Sequence, residues 1–376
     1  MKPFLLIVGA SGRAAAASAL RAGFDPFVID LFADADTKRL CPVLKCDPDD
    51  YPHGFLPLAK AAPSGAWMYT GGLENYPDLV AAISEGRELL GNGPEQLTLC
   101  RDPYRLADAV RAAGGNYPET IPLGTTPPAG GNWLRKSVAS AGGLHVRFAK
   151  STDFDPASAN VRECLQRFID GRPISALFRR DAGETHLFGL TRQLIGTSWL
   201  HAPEFGYAGN ITIDDADLAA GMVIHLQASA DFELRHCWGT DFMDRGSGTP
   251  WTIEVNPRYT AGVEVLEYAT RRAFLGPARP TPAPRSAVGK GIYYAPVPLT
   301  FPGSGPWDES LARCADVWRR PDFADIPEAG TLIEVGQPVL TIFAEAGTVA
   351  DCEAALRRRA ADLDSLFDWR TSDDPE

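Results

Sequence analysis

The chain opens with Phe4-Leu5-Leu6-Ile7-Val8, an unbroken apolar run that predicts a strand covered on both faces. The run stops at Gly9-Ala10-Ser11-Gly12, a tight turn, and the Ala-rich stretch from Arg13 to Ala22 predicts a helix that Gly23 ends. Pro26 to Leu31 predicts a second buried strand, so the opening reads as a βαβ unit. Further strands are predicted at Trp67 to Thr70 and around Leu89-Leu90. Alternation of this kind argues for an α/β domain over residues 1–100, a parallel sheet with helices on both faces.

The pattern changes near Cys100. Asp102 to Ala113 predicts a helix ending at Gly114-Gly115, and Pro118, Pro122, Pro127 and Pro128 predict an extended linker. Strand-like segments then dominate: Asn132 to Lys136, Leu144 to Ala149, Cys164 to Ile169, Ile174 to Arg179, Thr185 to Leu194 and Trp251 to Val255. Helices are expected near Ala216 to Phe232 and Val263 to Phe274, which makes residues 101–275 an α+β domain. Gly276 to Pro284 carries four prolines and is the best candidate for an interdomain linker. Residues 285–376 then read as a small β module, with strands at Gly291 to Phe301 and Thr331 to Phe343 and a helix from Val349 to Phe367.

Charge narrows the choice of partner. The 376 residues hold 36 Lys+Arg against 48 Asp+Glu, a net charge of −12, with no long basic run. Nucleic acid and anionic membranes both need an extended positive surface, so neither is an expected partner. A small anion needs only a local basic pocket. No apolar run is long enough for a membrane span or a signal-peptide core, and the seven cysteines form no CxxC pair. A cytoplasmic location with reduced thiols is therefore expected. The six histidines show no zinc-ligand spacing; His201 and Glu204 stand out only because their loop could cover an acceptor site.

Three constellations could carry chemistry. Gly9-x-x-Gly12 with Asp30, 21 positions after Gly9, raises a nicotinamide cofactor but falls short of the GxGxxG fingerprint. The same turn, at a helix N-terminus, is a candidate place for an acid group. Lys136 ends a strand and is followed by Ser137-Val138-Ala139-Ser140-Ala141-Gly142-Gly143, a small-residue loop whose backbone could approach phosphate oxygens beside a lysine charge. An exposed hairpin lysine is the plainer reading of that loop.

In Trp251-Thr252-Ile253-Glu254-Val255-Asn256-Pro257-Arg258, strand alternation projects Glu254 and Asn256 to one face. Asp241, in the strand-like stretch Thr240 to Met243, would be brought beside Glu254 by a hairpin turn through Asp244 to Gly248. Two carboxylates and an amide oxygen make a hard-oxygen set of the kind that holds Mg²⁺ shared with phosphates. Without a cation they would repel one another, which weighs against their being a mere strand-end cap.

Taken together, Lys136, Asp241 and the E-V-N-P-R string resemble the ATP-grasp superfamily. The resemblance implies a Rossmann-like pre-ATP-grasp domain, a two-part ATP-grasp domain and a small C-terminal β-rich module. It implies that Asp241, Glu254 and Asn256 hold two Mg²⁺ ions, with Mn²⁺ as an alternative, on the phosphates of ATP. It also implies that Lys136 contacts those phosphates under the Gly142-Gly143 loop and that Arg258 faces the reacting acyl phosphate. The string from Leu165 to Gly171 resembles the hinge of that fold, where Gln166 and the backbone of Phe168 and Ile169 would read adenine. Arg167 stands where many members have a glutamate, leaving Asp170 as a substitute ribose ligand. Asp102-Pro103-Tyr104-Arg105 departs from the usual Asp-Lys, with Arg105 as a replacement cation. Arg192 is a further candidate for the acid or the phosphate.

The C-terminal string from Asp325 to Val339 resembles the closing module of carboxylase-like members, but no lysine follows Lys290, so nothing there could bear biotin. The function implied is ligation of a small-molecule carboxylate, activated as an acyl phosphate, to an amine. A kinase and a non-catalytic nucleotide-binding regulator are the alternatives. The E-V-N-P-R-Y-T string and the C-terminal module are also similar to ATP-grasp proteins associated with tetrahydromethanopterin or methylofuran biosynthesis. A homodimer is a family-level expectation.

Overall fold

A computed structural model describes residues 2–181, 183–222, 232–246, 249–277 and 281–367. The N-terminal segment forms a parallel sheet of β1 (Phe4–Val8), β2 (Asp25–Asp30), β3 (Val43–Lys45) and β4 (Ala66–Tyr69), in the order β3-β2-β1-β4. Leu5 to Val8 are fully buried, as a strand covered on both faces requires. The helix Arg13–Ala22 lies close on this sheet because Ala15, Ala16 and Ala19 face it, and Gly23, at φ 90°, ends it.

Packing requires both glycines of the first turn. A Cβ on Gly12 would stand 2.5 Å from the Val28 side chain, and one on Gly9 would collide with Thr70. Asp30 is buried and accepts the backbone N–H groups of Gly12 (3.0 Å), Phe32 (3.2 Å) and Ala33 (2.7 Å). It therefore holds the turn and is closed to a ribose. The Gly12 N–H is thus spent on Asp30 and is not itself open to an acid group.

A second sheet contains β5 (Thr120–Pro122), β6 (Trp133–Ser137), β7 (Val146–Phe148) and β8 (Glu163–Arg167), in the order β5-β8-β6-β7. The proline-rich stretch expected to be a linker thus contributes a strand, β5. Thr120 and Pro122 pair antiparallel with Gln166 and Cys164, since an edge strand tolerates proline.

The largest sheet has eight strands, drawn from β9 (Arg172–Asp181), β10 (Glu184–Ile195), β11 (Tyr207–Ile213), β12 (Cys237–Asp244), β13 (Trp251–Asn256), β14 (Ala287–Tyr294), β16 (Phe323–Ala324) and β18 (Pro338–Ala346). Their order is β13-β12-β9-β10-β11-β14-β18-β16. A small ribbon, β15 (Leu299–Thr300) with β17 (Leu332–Ile333), lies apart.

The β-rich C-terminal segment is present, and β14 joins it to β11, so its strands extend the sheet of the preceding segment. The closing helix Val349–Phe367 covers this end through Cys352, Leu356, Ala360 and Leu363, one apolar stripe. Of the helix expected from Ala216 to Phe232, Ala216–Gly221 is seen, and residues 223–231 lie outside the described residues. Part of the expected linker, residues 278–280, does so too.

Buried charge fastens the first segment to the rest. Arg13 donates from Nη1 and Nη2 to the two carboxylate oxygens of Glu264 (2.5 and 2.7 Å) and from Nε to Asp325 (2.8 Å). Lys290 stands 3.3 Å from the same Glu264. Arg21 and Ser18 both reach Glu267, one turn further along the helix Gly262–Thr270. That helix follows the Glu254–Arg258 string directly, so these pairs set the floor of the site against the N-terminal sheet.

Candidate active site

Between the four-stranded antiparallel sheet and the eight-stranded sheet lies a cavity of about 460 Å³. Its acidic side is built by the antiparallel pairing of β12 with β13, which sets Asp241 opposite Glu254. Val255 turns the other way, into the core with Ile174, Phe178 and Trp238, and this burial fixes which face the polar residues take. The Asn256 amide nitrogen donates to Asp241 (2.9 Å) and to Glu254 (3.2 Å), and Gln193 donates to the other Asp241 oxygen (3.0 Å). Burial and the neighbouring Glu254 push the Asp241 carboxyl up to about 7. Burial would raise Glu254 as well, but Lys136 and Arg101 outweigh it and hold Glu254 below the usual range.

Opposite stands the basic side. Lys136 Nζ donates to Gln166 Oε1 at 2.9 Å, and both side chains project from paired strands into the cavity. The loop after Lys136 is folded down: Gly142 C=O accepts the Tyr207 N–H at 2.9 Å, and a Cβ on Gly143, at φ 75°, would collide with the Phe205 carbonyl. Phe148 packs edge-on to both Phe168 and Phe205, with ring centroids 5.4 and 5.3 Å apart, and this closes one wall. The Phe168 N–H is already given to Asn132 C=O (2.9 Å), so only its carbonyl and the Ile169 backbone remain for a ligand edge. Asp170 lies on the lining, and Arg167 is held by Gly130 C=O at 2.8 Å.

At the inner end, Arg258 donates from Nε to Glu74 at 2.6 Å, and its Nη2 is 3.4 Å from the Asn256 side-chain oxygen, Oδ1. The structure therefore brings Lys136, Gly142, Gly143, Gln166, Phe168, Ile169, Asp241, Glu254, Asn256 and Arg258 to one cavity. Arg192 it does not bring there. Strand alternation on β10 turns Gln193 inward and Arg192 to the opposite face, where it pairs with Glu353 of the closing helix. Arg105 is turned to solvent beside Asp102. Glu204 lines the cavity, whereas His201 pairs with Asp364 at 2.7 Å and packs on Tyr293.

Glu74, Arg101, Gln193, Tyr117 and Phe205 were not among the expected site residues. Only Glu74 had a usable signal, since Gly71-Gly72-Leu73-Glu74 follows β4 at its carboxyl end, where open α/β sheets place ligands.

A model of the ATP-grasp domain matches residues 100–262. The L-amino acid ligase of Bacillus licheniformis superposes over 96% of this chain and 97% of its own, with a TM-score of 0.67 at 16% identity. This chain has the ATP-grasp fold. The biotin carboxylase of Campylobacter jejuni shares that ATP-grasp architecture over 96% of this chain and 91% of its own, with a TM-score of 0.71 and 13% identity. The N5-carboxyaminoimidazole ribonucleotide synthetase of Thermus thermophilus does so over 99% of each, at 0.65 and 16%. In sequence, an uncharacterised protein of Methanocaldococcus jannaschii is 23% identical over 272 residues, 68% of this chain. The match spans 64% of that relative's length. No helix among the described residues is long and apolar enough to cross a membrane.

The donor set suits a hard divalent cation. Among the described residues no three His, Cys, Asp or Glu side chains converge on a metal position, so this chain offers two carboxylates and an amide, with room for ligand oxygens. Turning the Asn256 amide would exchange its nitrogen for its oxygen on that side.

Proposed function

We propose that this protein is an ATP- and Mg²⁺-dependent ligase that activates a small-molecule carboxylate as an acyl phosphate and joins it to an amine. The observation that carries the reading is the register of β12 on β13, which sets Asp241 beside Glu254 and Asn256, facing Lys136 across one cavity. Asp241, Glu254 and Asn256 would hold Mg²⁺, two ions at most from so few donors, and Mn²⁺ suits the same oxygen set. Bound Mg·ATP supplies the phosphoryl group and the charge that neutralises it in transfer. Lys136 orients the phosphates, the folded 137–143 loop keeps water away, and Phe168 and Ile169 offer backbone to the base. One oxygen of the acid forms a bond to the terminal phosphorus as ADP leaves. The amine then attacks the acyl carbon, phosphate departs, and Arg258 offers N–H groups to the oxyanion that forms. The Glu254–Thr260 string supports a place for such a ligase in one-carbon coenzyme biosynthesis.

The test is ADP release with a panel of small acids, with and without amines, and with hydroxylamine as a trap. Hydroxamate formed with wild-type protein and lost in Glu254→Gln supports the ligase. A stable phosphorylated product without hydroxamate makes the protein a kinase, and nucleotide binding without turnover makes it a regulator.

A further inference from the structure

The inner end of the cavity holds a second guanidinium, Arg101, that the reading above does not use. It sits in the short connection between the helices Pro94–Cys100 and Pro103–Ala112, its backbone N–H bonded to Leu97 C=O at 3.1 Å. The next residue, Asp102, caps the second helix through Tyr104 and Arg105 N–H, so the backbone that carries Arg101 is fixed on both sides.

From there the side chain reaches the cavity lining, 85% buried, with Nη2 at 3.2 Å from Glu74 Oε1. That same oxygen receives Arg258 Nε at 2.6 Å. Two guanidinium groups thus share one carboxylate, an imbalance that Glu254, whose carboxylate interacts with both, offsets in part. Geometry adds to the imbalance. Arg101 Nε is buried with no hydrogen-bond acceptor, Nη2 has only the Glu74 contact, which is not aligned as a hydrogen bond, and the hydroxyl of Thr260, another residue of the cavity lining, also lacks a partner. Buried N–H groups are nearly always satisfied, and a guanidinium only partly met by its own chain is suited to an oxyanion.

We infer that Arg101 is an oxyanion-binding residue that works with Arg258 at the reacting end of the cavity, with Glu74 holding the two guanidinium groups together. The inference rests on the nucleotide reading of the cavity. The oxyanion is either the terminal phosphoryl group or the carboxylate of the acid, since both must lie between Glu254 and Arg258 for transfer. Both present planar or tetrahedral oxygen pairs to a guanidinium.

The experiment measures Mg·ADP and Mg·AMP-PNP binding by calorimetry for wild type, Arg101→Gln and Arg101→Lys, with thermal unfolding as a check on folding. If Arg101 meets the phosphoryl group, Arg101→Gln weakens Mg·AMP-PNP by about ten-fold or more while Mg·ADP stays within two-fold. If it meets the acid, both nucleotides bind as in wild type, and the acid's KM in the hydroxamate assay rises by about ten-fold or more. In either case Arg101→Lys falls between, keeping the charge and losing the fork. Equal weakening of both nucleotides in Arg101→Gln, or no change in any of these quantities, overturns the inference and leaves the ligase reading standing. Wild-type protein that binds neither nucleotide overturns both.

Discussion

Replacing Arg13 by Met should cost the protein about 3 kcal/mol or more at pH 7, although Arg13 lies outside the 460 Å³ cavity. Arg13 is 97% buried and carries both bonds to Glu264, while Asp325 and Asp36 also lean on its charge. Burial alone would raise the Glu264 carboxyl, yet Arg13, and after it Lys290, lower it from 4.5 to about 2. A depression of that size corresponds to about 3 kcal/mol, within reach of the roughly 3–5 kcal/mol lost when one partner of a buried ion pair is removed.

The pH window follows from the sign. Glu264 has a lower pKa folded than unfolded, so its contribution is complete above about 4.5 and disappears as pH falls toward about 2. Asp36 works the other way. Burial drives it up to about 7 against the pull of Arg13, so its effect on stability turns unfavourable as pH rises from 3.8 toward 7. Urea unfolding of wild type and Arg13→Met, followed by tryptophan fluorescence and circular dichroism together, gives the difference wherever the two probes coincide. The gap should be about 3 kcal/mol or more at pH 7 and should narrow at pH 3. Arg13→Lys, which keeps the charge and loses the bidentate contact, should lie between. A gap below about 1 kcal/mol at pH 7 would refute the assignment of Arg13 as the tie between the first segment and the helix Gly262–Thr270.

Other outcomes follow from the site. Lys136→Met should weaken Mg·ATP binding by roughly ten- to one-hundred-fold, read by calorimetry, because one charge-assisted contact is lost. Arg192→Ala should leave that affinity within about two-fold, since the Arg192 guanidinium is on the far face with Glu353; a larger loss would mean that the β10 alternation is misassigned. Chelating magnesium should abolish the thermal stabilisation by ADP, which at 100 times Kd is about 2.7 kcal/mol. Gly143→Ala should distort the folded loop, because the new methyl group meets the Phe205 carbonyl at a left-handed φ; the nucleotide on-rate or affinity should change and the melting temperature of the free protein should fall.

Local pattern determined a good deal of this protein. The apolar run at Phe4, the Ala-rich helix with its Gly23 stop, the period-two alternation around Glu254 and the closing helix Val349–Phe367 were readable because each is decided by neighbours a few residues away. The same holds for the pairing of Asp241 with Glu254, which is a matter of hairpin register. Tertiary structure decided what depends on partners distant in sequence. It turned the proline-rich stretch into β5 by pairing it with β8, and it carried the C-terminal strands onto β11. It sent Arg192 to Glu353, 161 positions away, and gave the Gly9–Gly12 turn to Asp30. Above all, it brought Glu74 beneath Arg258 and Arg101, joining residues 74, 101 and 258 around one carboxylate oxygen. Alternation can say which face a charge takes on its own strand. Which opposite charge meets it there is settled only when the sheets pack.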